Sequence, residues 1–288
     1  MKTAIIILNY NDYKTTMDMI NQIKNYKILD YIIIVDNHSS DSSYKRLKEY
    51  EKDNIEVIKT DKNKGYAYGN NYGIKYAIDK HSVDYLIISN PDITVKENDI
   101  KELLKELKYN NVSLIAPVIN EYGNISKGWR LPTLKDDILS NINYYHKKAF
   151  KKMEYPAKHY NKKINEVDVV KGCFFIIKSS VIKDIDYFDE NTFLYYEENI
   201  LAKKLKNKGY KSYIHNEVEV KHNLSISVDK SLNSLKKYKI LKKSQRYYEK
   251  EYNKTNALGI FLLYITYIIS YMIAFIICLF RGIKKWKI

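Results

Sequence analysis

Three polar clusters stand directly after apolar runs in the first third of this 288-residue chain: Asn9-Tyr10-Asn11, Asp36-Asn37 and Asn90-Pro91-Asp92. A carboxylate that follows an apolar strand stands at a sheet edge, where Asp92 could hold a hard divalent cation that bridges two phosphates. Taken singly, each cluster has an ordinary structural use, since Asn-Pro-Asp is a turn sequence and Asp36 can be a loop or capping acid. Together they are a functional signal, because open parallel sheets bind ligands outside the carboxyl ends of their strands. The first turn reads Asn9-Tyr10-Asn11-Asp12 in place of a glycine-rich G-x-G-x-x-G, and G-x-x-x-x-G-K-[ST] does not occur. Both absences argue against a dehydrogenase and a P-loop nucleotidase.

Such clusters need strands to carry them. Short apolar runs alternate with amphipathic stretches through the first half, which predicts βαβ units and a mainly parallel sheet. The expected strands are Thr3 to Leu8, Tyr31 to Val35, Ile55 to Lys59, Tyr85 to Ser89 and Val112 to Ala116. Helices are expected around Lys14 to Asn25, Ser43 to Glu51, Gly69 to Ile78 and Glu97 to Leu107. Residues 129–165 show weak periodicity and read as a loop-rich insertion. Strand character returns at Val167 to Ile177, interrupted by Gly172, then a helix from Glu198 to Lys208 and two short strands, Lys211 to Ile214 and Glu217 to Lys221, lead to His222.

The chain carries a net charge of +15, with lysine densest in its last third beside an apolar run, a pattern better matched to anionic lipid headgroups than to nucleic acid. Cys173 and Cys278 are its two cysteines, and their spacing supplies neither a disulfide framework nor a zinc site. From Ala257 to Phe280 no residue is charged, which is long enough to span a bilayer core. Apolar residues recur on all faces of that stretch, Trp286 suits an interfacial anchor, and Lys230 to Tyr252 read as a basic amphipathic helix able to lie on a membrane. Because Met1-Lys2-Thr3 runs straight into the first strand, the expectation is a domain on the cytoplasmic side of the cell membrane. The division expected is 1–228 catalytic, 229–254 basic helix or linker, and 255–288 membrane segment.

At the level of whole segments the chain resembles the family 2 glycosyltransferases, in the branch of rhamnosyl- and related transferases of bacterial polysaccharide assembly. The matching stretches are IIILNYND at 5–12, IIIVDNHSSD at 32–41, NKGYAYGNNYGI at 63–74, YLIISNPDI at 85–93, KGCFFIIKSSVI at 171–182, FLYYEENILAKKLKNKGY at 193–210 and VKHNLSIS at 220–227. The resemblance implies an A-type glycosyltransferase fold, α/β with a Rossmann-like nucleotide-binding half and a mixed central sheet, plus the C-terminal membrane helix. It further implies that Asn9 and Tyr10 line the nucleotide pocket, that Asp36 binds base or ribose, and that Asn63, Gly65, Gly69 and Asn70 shape the loop beside ribose and diphosphate. Asn90 opens the DxD-type motif, in which Asp92 is the ligand of Mg2+ or Mn2+; with Asn at its first position, one carboxylate, phosphate and water would hold the ion. Gly172 and Cys173 match the floor of the acceptor site, and His222 could complete the metal or diphosphate site. Glu197-Glu198 stands where the family has its acid pair. A carboxylate there removes the acceptor hydroxyl proton, with Glu198 the favoured base and Glu197 the alternative.

The activity so implied is inverting transfer of a sugar from a nucleoside diphosphate donor, dTDP-rhamnose or a UDP-hexose, to a polyprenyl-linked glycan at the membrane lipids. Lys171, Arg130 and the lysine-rich insertion are candidates to meet phosphate. A homodimer is allowed for, and no nucleic acid is expected. The rival readings are a sugar-phosphate nucleotidyltransferase, which would want a glycine-rich basic first turn, and an inactive membrane-bound scaffold of the same fold.

Overall fold

The computed structural model describes residues 1–109, 111–142, 146–223 and 234–281. Its first half is built from β1 (Thr3–Asn9), α1 (Tyr13–Ile23), β2 (Tyr31–Asp36), α2 (Ser43–Lys48), β3 (Ile55–Lys59), α3 (Tyr66–His81), β4 (Tyr85–Ser89), β5 (Ile93–Thr94) and α4 (Glu97–Leu107). The rest comprises β6 (Leu114–Glu121), β7 (Asn124–Ser126), α5 (Leu134–Asn141), α6 (His146–Met153), β8 (Ile164–Val167), β9 (Phe174–Lys178), α7 (Ser179–Asp184), α8 (Glu197–Asn207), β10 (Ser212–His222), α9 (Ser234–Glu251) and α10 (Ala257–Arg281).

All ten strands form one sheet in the order β3-β2-β1-β4-β9-β6-β10-β5, with β7 on β6 and β8 on β10. Its parallel part, β3 to β4, is made of Ile- and Val-rich runs buried on both faces, as a sheet covered by helices on each side requires. β9 is reversed and pairs antiparallel with both β4 and β6. The mainly parallel expectation holds for β1 to β4, and the sheet is mixed because β9, and at its far side β5, β7 and β8, pair antiparallel.

Five sequence expectations are corrected. The loop-rich insertion at 129–165 contains α5, α6 and β8. The strand placed at Val112 to Ala116 begins at Leu114 and runs through Pro117 to Glu121. Proline is tolerated there because β10 is irregular beside it: the register jumps from His215 opposite Pro117 to Glu219 opposite Val118, so the missing N–H falls at a bulge. For the same reason the two strands expected at 211–221 are one strand, β10. The helix expected at Gly69 starts earlier, at Tyr66.

The last correction concerns the C-terminal helices. α9 does not lie apart from the domain: its Ser244 hydroxyl donates to the Leu194 carbonyl at 2.8 Å, and Tyr238, Lys242, Gln245, Tyr248 and Glu249 are buried. α10 is long and apolar enough to cross a membrane, with a mean hydropathy of 2.1 over Ala257–Ile276. Its faces are not equivalent, however. Gly259, Leu263, Ser270 and Ala274 are buried at helical spacing, and Asn141 of α5 donates to Thr266 Oγ1 at 2.9 Å, so one stripe packs on α5 and α9. Phe261, Leu262, Ile265, Ile268, Ile269 and Met272 are exposed. Trp286, the end of the VKHNLSIS segment and the expected 228/229 boundary lie outside the described residues.

α3 can approach the sheet because Gly69 and Gly73 lack side chains: a Cβ on Gly73 would sit 2.6 Å from Cγ2 of both Ile6 and Val35. Gly73→Ala is therefore expected to destabilise the domain by about 1–3 kcal/mol through overpacking, read as a lowered Tm. An unchanged Tm would show that β1 and β2 can yield.

Candidate active site

Strand register assembles this site from distant parts of the chain. β9 sets Phe174 opposite Ser89, and one step further the Asn90 amide donates to the Cys173 carbonyl at 2.8 Å. β10 sets His222 opposite Ile93, which brings His222 Nε2 to 3.1 Å from Oδ1 of Asp92. On its other side β10 sets Lys221 opposite Asn120, and His222 Nδ1 meets Oε1 of Glu121 at 2.5 Å. Glu121 Oε2 holds Lys171 Nζ at 2.6 Å. Acid and base thus alternate through Asp92, His222, Glu121 and Lys171. Burial opposes charge on His222, but hydrogen bonding with Asp92, Cys173 and Glu121 outweighs it and carries the imidazole up to about 11. Burial likewise works to raise Glu121, yet His222 and Lys171 bring it down to about 2.

The acid pair opens α8. Tyr195 and Tyr196 before it are both left-handed, with φ of 72° and 69°, a conformation that costs non-glycine residues about 1–3 kcal/mol each. Contacts from three directions hold this strained turn. The Tyr66 amide donates to the Phe193 carbonyl at 3.0 Å, Ser244 of α9 takes the Leu194 carbonyl, and the Tyr196 hydroxyl donates to Asp137 Oδ1 at 2.5 Å. Gly65, at φ +107°, permits the first of these, since a Cβ there would lie 2.0 Å from the Phe193 oxygen.

Glu198 lies against Gly172: a Cβ on that glycine would be 2.9 Å from Glu198 Cγ and 3.2 Å from its Oε1. The Tyr66 hydroxyl donates to the Gly172 carbonyl at 2.7 Å and fixes the same backbone. Glu197 is 6% exposed, and both acids border a void of about 10 Å³ lined by Phe175, Phe188 and Leu201. Burial, then the neighbouring Glu198 charge, push Glu197 up to about 8. Glu198 is raised by burial too, but backbone amides, including that of Gly172, and the Lys171 ammonium act against the rise. Both acids are raised, and of the two Glu198 is the one that backbone amides and Lys171 hold down, so it ionises more readily than Glu197.

Both groups face one cavity of about 960 Å³. Asn90, Glu121, Lys171, Gly172, Cys173, Glu197, Glu198 and His222 line its sheet side, while Trp129, Phe150, Tyr155, Tyr160 and Tyr195 supply aromatic walls. Leu241, Lys242 and Gln245 of α9 close it.

The remaining expected residues form a separate polar layer at the ends of β1 and β2. Asn9 and Asp36 are 1% and 0% exposed and are bonded to each other at 3.0 Å, with Thr16 and Ser39 completing the set. Here they build the loops; Tyr10 is the half-buried neighbour that reaches the surface. Asn63 accepts from Asn37 at 3.1 Å and from the Gly65 amide at 2.9 Å. Gly69 makes room for Leu8 and Asn37, and the buried Asn70 donates to the Tyr66 carbonyl. Arg130, a phosphate candidate by sequence, is instead committed to Asp136 through two 2.8 Å bonds. Lys171 is in the site, but paired with Glu121.

Sequence reasoning missed Glu121 and Tyr66, and named Asn37 in its polar cluster without giving it a role of its own. Glu121 was hidden because the strand was placed at Val112 to Ala116, short of it. Tyr66 offered no signal apart from its place after Gly65.

Residues 4–185 match the family model for glycosyl transferase family 2. The chain is 31% identical over 196 residues to the low-salt glycan biosynthesis hexosyltransferase Agl10 of Haloferax volcanii, a match covering 68% of this chain and 58% of that protein. It is 26% identical over 114 residues to the dTDP-rhamnosyl transferase RfbF of Shigella flexneri, covering 39% of this chain and 37% of the relative. The match thus spans less than two thirds of either relative's length. Among solved structures, GalNAc-T7 with UDP, GalNAc and Mn2+ superposes with a TM-score of 0.64 at 16% identity, over 88% of this chain and 49% of that one. The mannosyltransferase PcManGT of Pyrobaculum calidifontis with GDP-Man and Mn2+ gives 0.60 at 11% identity, over 98% and 76%. At such identities the likeness shows the fold, an A-type glycosyltransferase architecture.

An acid raised in the folded state stabilises the protein fully below its ordinary value of 4.5 and progressively less as pH rises toward its folded value of about 8. Tm should therefore fall between pH 5 and pH 8.5, and Glu197→Gln should flatten that fall by several degrees. An identical pH profile in the variant would refute the assignment of the retained proton to Glu197.

Proposed function

Because the chain belongs to glycosyl transferase family 2, we propose that it is an inverting glycosyltransferase, moving a sugar from a nucleoside diphosphate donor to a lipid-linked glycan acceptor. One observation carries this reading: Glu198 and His222, the latter held by Asp92, line a single cavity, with Lys171 between them pairing with Glu121 and also acting on Glu198. That arrangement has a base on one side and a diphosphate-holding group on the other, as direct displacement requires.

The donor diphosphate is assigned to the end formed by Asn90, Asp92 and His222, with the nucleoside across the loops of Tyr10, Asn37 and Asn63. Asn9 and Asp36 hold those loops in shape, together with Gly65, Gly69 and Asn70. The acceptor hydroxyl enters beside Gly172 and Cys173, where the absent side chain lets it reach Glu198. As its oxygen forms the new bond to the anomeric carbon, Glu198 takes the hydroxyl proton, the bond from that carbon to the diphosphate oxygen breaks, and the electron pair leaves with the diphosphate. Attack opposite to departure inverts the carbon. Trp129, Tyr155 and Tyr195 offer ring faces to sugars.

Asp92 would hold Mg2+ or Mn2+, with phosphate and water completing the shell, and the ion would supply neutralisation of the departing diphosphate. Mn2+ in the structures of GalNAc-T7 and PcManGT supports this reading. His222, expected to share in holding the ion, is instead kept protonated by its hydrogen bonds and pairs with Asp92 at 3.1 Å, so it stands at the diphosphate end as a cation. The RfbF relative supports rhamnose as the first sugar to try, and Agl10 a hexose. The apolar exposed face of α10 supports attachment to a membrane, where lipid-linked acceptors present their headgroups.

Glu198→Gln is expected to lower kcat about 10²–10⁴-fold, the usual contribution of a general base, with the KM for the donor nearly unchanged. Asp92→Asn should lose the response to Mg2+ or Mn2+, and a panel of nucleoside diphosphate sugars should raise Tm only for the true donor. Undiminished transfer in both variants would overturn the site assignment.

A further inference from the structure

Lys242 stands on α9 with 3% exposure and lines the cavity described above. Among the described residues its ammonium makes no ion pair and no hydrogen bond; its one close aromatic neighbour is Tyr238, with the ring centroid 5.4 Å away. Asp137 is the carboxylate whose field reaches it, but Asp137 already accepts the Tyr196 hydroxyl and is pushed up by burial and by Glu249, which leaves it a poor counter-ion. Around Lys242 on the same wall, Gln245 Oε1 and Asp137 Oδ2 are buried without hydrogen-bond partners. A buried cation whose cost the protein does not offset is stable where an anion can reach it. Here an anion can reach it only through the cavity.

We propose that Lys242 is the anion-binding residue of a second subsite in this cavity, one that takes the phosphate of a phospholipid-linked acceptor. This rests on the transferase reading given above. Two features favour a lipid phosphate over the donor's own. The diphosphate end already has its groups, in Asp92, His222 and Lys171, on the sheet wall, whereas Lys242 belongs to the helical wall. One turn before Lys242 on the same face of α9, Tyr238 is bonded to Ser270 of the apolar helix α10 at 2.5 Å. A tail lying along α10 would therefore deliver its phosphate to Lys242 and extend its sugar toward Glu198. Asp137 and the unpartnered Gln245 oxygen, both acceptors on this wall, oppose the phosphate and limit its affinity.

The test uses the full chain in detergent without divalent metal, and measures binding of farnesyl diphosphate, farnesol and inorganic pyrophosphate to wild type, Lys242→Met and Lys242→Arg. Farnesyl diphosphate is expected to bind about tenfold or more weakly to Lys242→Met, the worth of a charge-assisted hydrogen bond, and to recover in Lys242→Arg, while farnesol binds all three alike. Pyrophosphate binding wild type as tightly as farnesyl diphosphate would assign the site to free phosphate and overturn the lipid acceptor. Equal binding of farnesyl diphosphate to wild type and Lys242→Met, or a loss confined to the nucleoside diphosphate sugar, would overturn it as well. Should Lys242→Met fail to fold, labelling of the wild-type Lys242 amine decides: protection by farnesyl diphosphate and not by farnesol supports the subsite, and equal labelling refutes it. Because donor binding is read separately, failure of the transferase reading shows as silence to every nucleotide sugar and leaves the Lys242 result standing.

Discussion

Burying two adjacent carboxyl groups is the constraint around which this structure is arranged. Desolvation and mutual repulsion make a doubly charged Glu197-Glu198 pair untenable, so one acid must keep its proton and the other must be given reasons to stay charged. Burial of Glu197 does the first. Gly172 does the second, because only a residue without a side chain lets Glu198 lie close enough for the backbone amide to favour its charge. Tyr66 and Lys171 then follow as requirements: one pins the Gly172 carbonyl, and the other supplies positive charge without entering a direct pair with Glu198.

The same constraint explains where strain is stored. Two left-handed tyrosines aim both acids from the start of one helix. Their restraint comes from Gly65, from Asp137 of α5 and from Ser244 of α9. α9, which lies outside the family match at 4–185, is thus a brace for the acids as well as a wall of the cavity.

The parts legible in the sequence were those with a local signal. Continuous Ile and Val runs predicted β1 to β4 to within a residue, and the polar clusters after them did mark one sheet edge. What was not legible depended on pairing. Nothing near Glu121 says that it will meet His222, since that contact exists only through the register of β6 on β10 and the bulge that accommodates Pro117. Likewise Asp36 reads as a ligand-facing acid in sequence, yet its two oxygens are taken up by Asn9 and by the Ser39 amide. Residues 129–165 looked irregular because their helices bury polar residues such as Asp137 and Asn141 against partners far along the chain, which erases the apolar periodicity on which such a reading relies.

α10 was the plainest element by composition, and its packing alters what it implies. An isolated span would be free to tilt relative to its domain, since a short linker fixes neither angle nor depth. Here Gly259, Leu263, Ser270 and Ala274 seat one stripe on α5 and α9, and Asn141 and Tyr238 bond to polar groups within the helix. Small residues allow that close approach, and the opposite face is left wholly apolar over Ile265, Ile268, Ile269 and Met272. Arg246 of α9 stacks on Tyr264 and Tyr267 at 5.2 and 4.9 Å, which sets a cation at the border between the two faces. A bilayer that takes up the apolar face therefore fixes the position of α9, and with it the wall of the cavity that carries Lys242. On the proposal that a bilayer takes up this face, depth in the membrane and geometry of the cavity would become one variable, and the distance from lipid headgroups to Glu198 would be set by the side chains that seat α10 on α5 and α9.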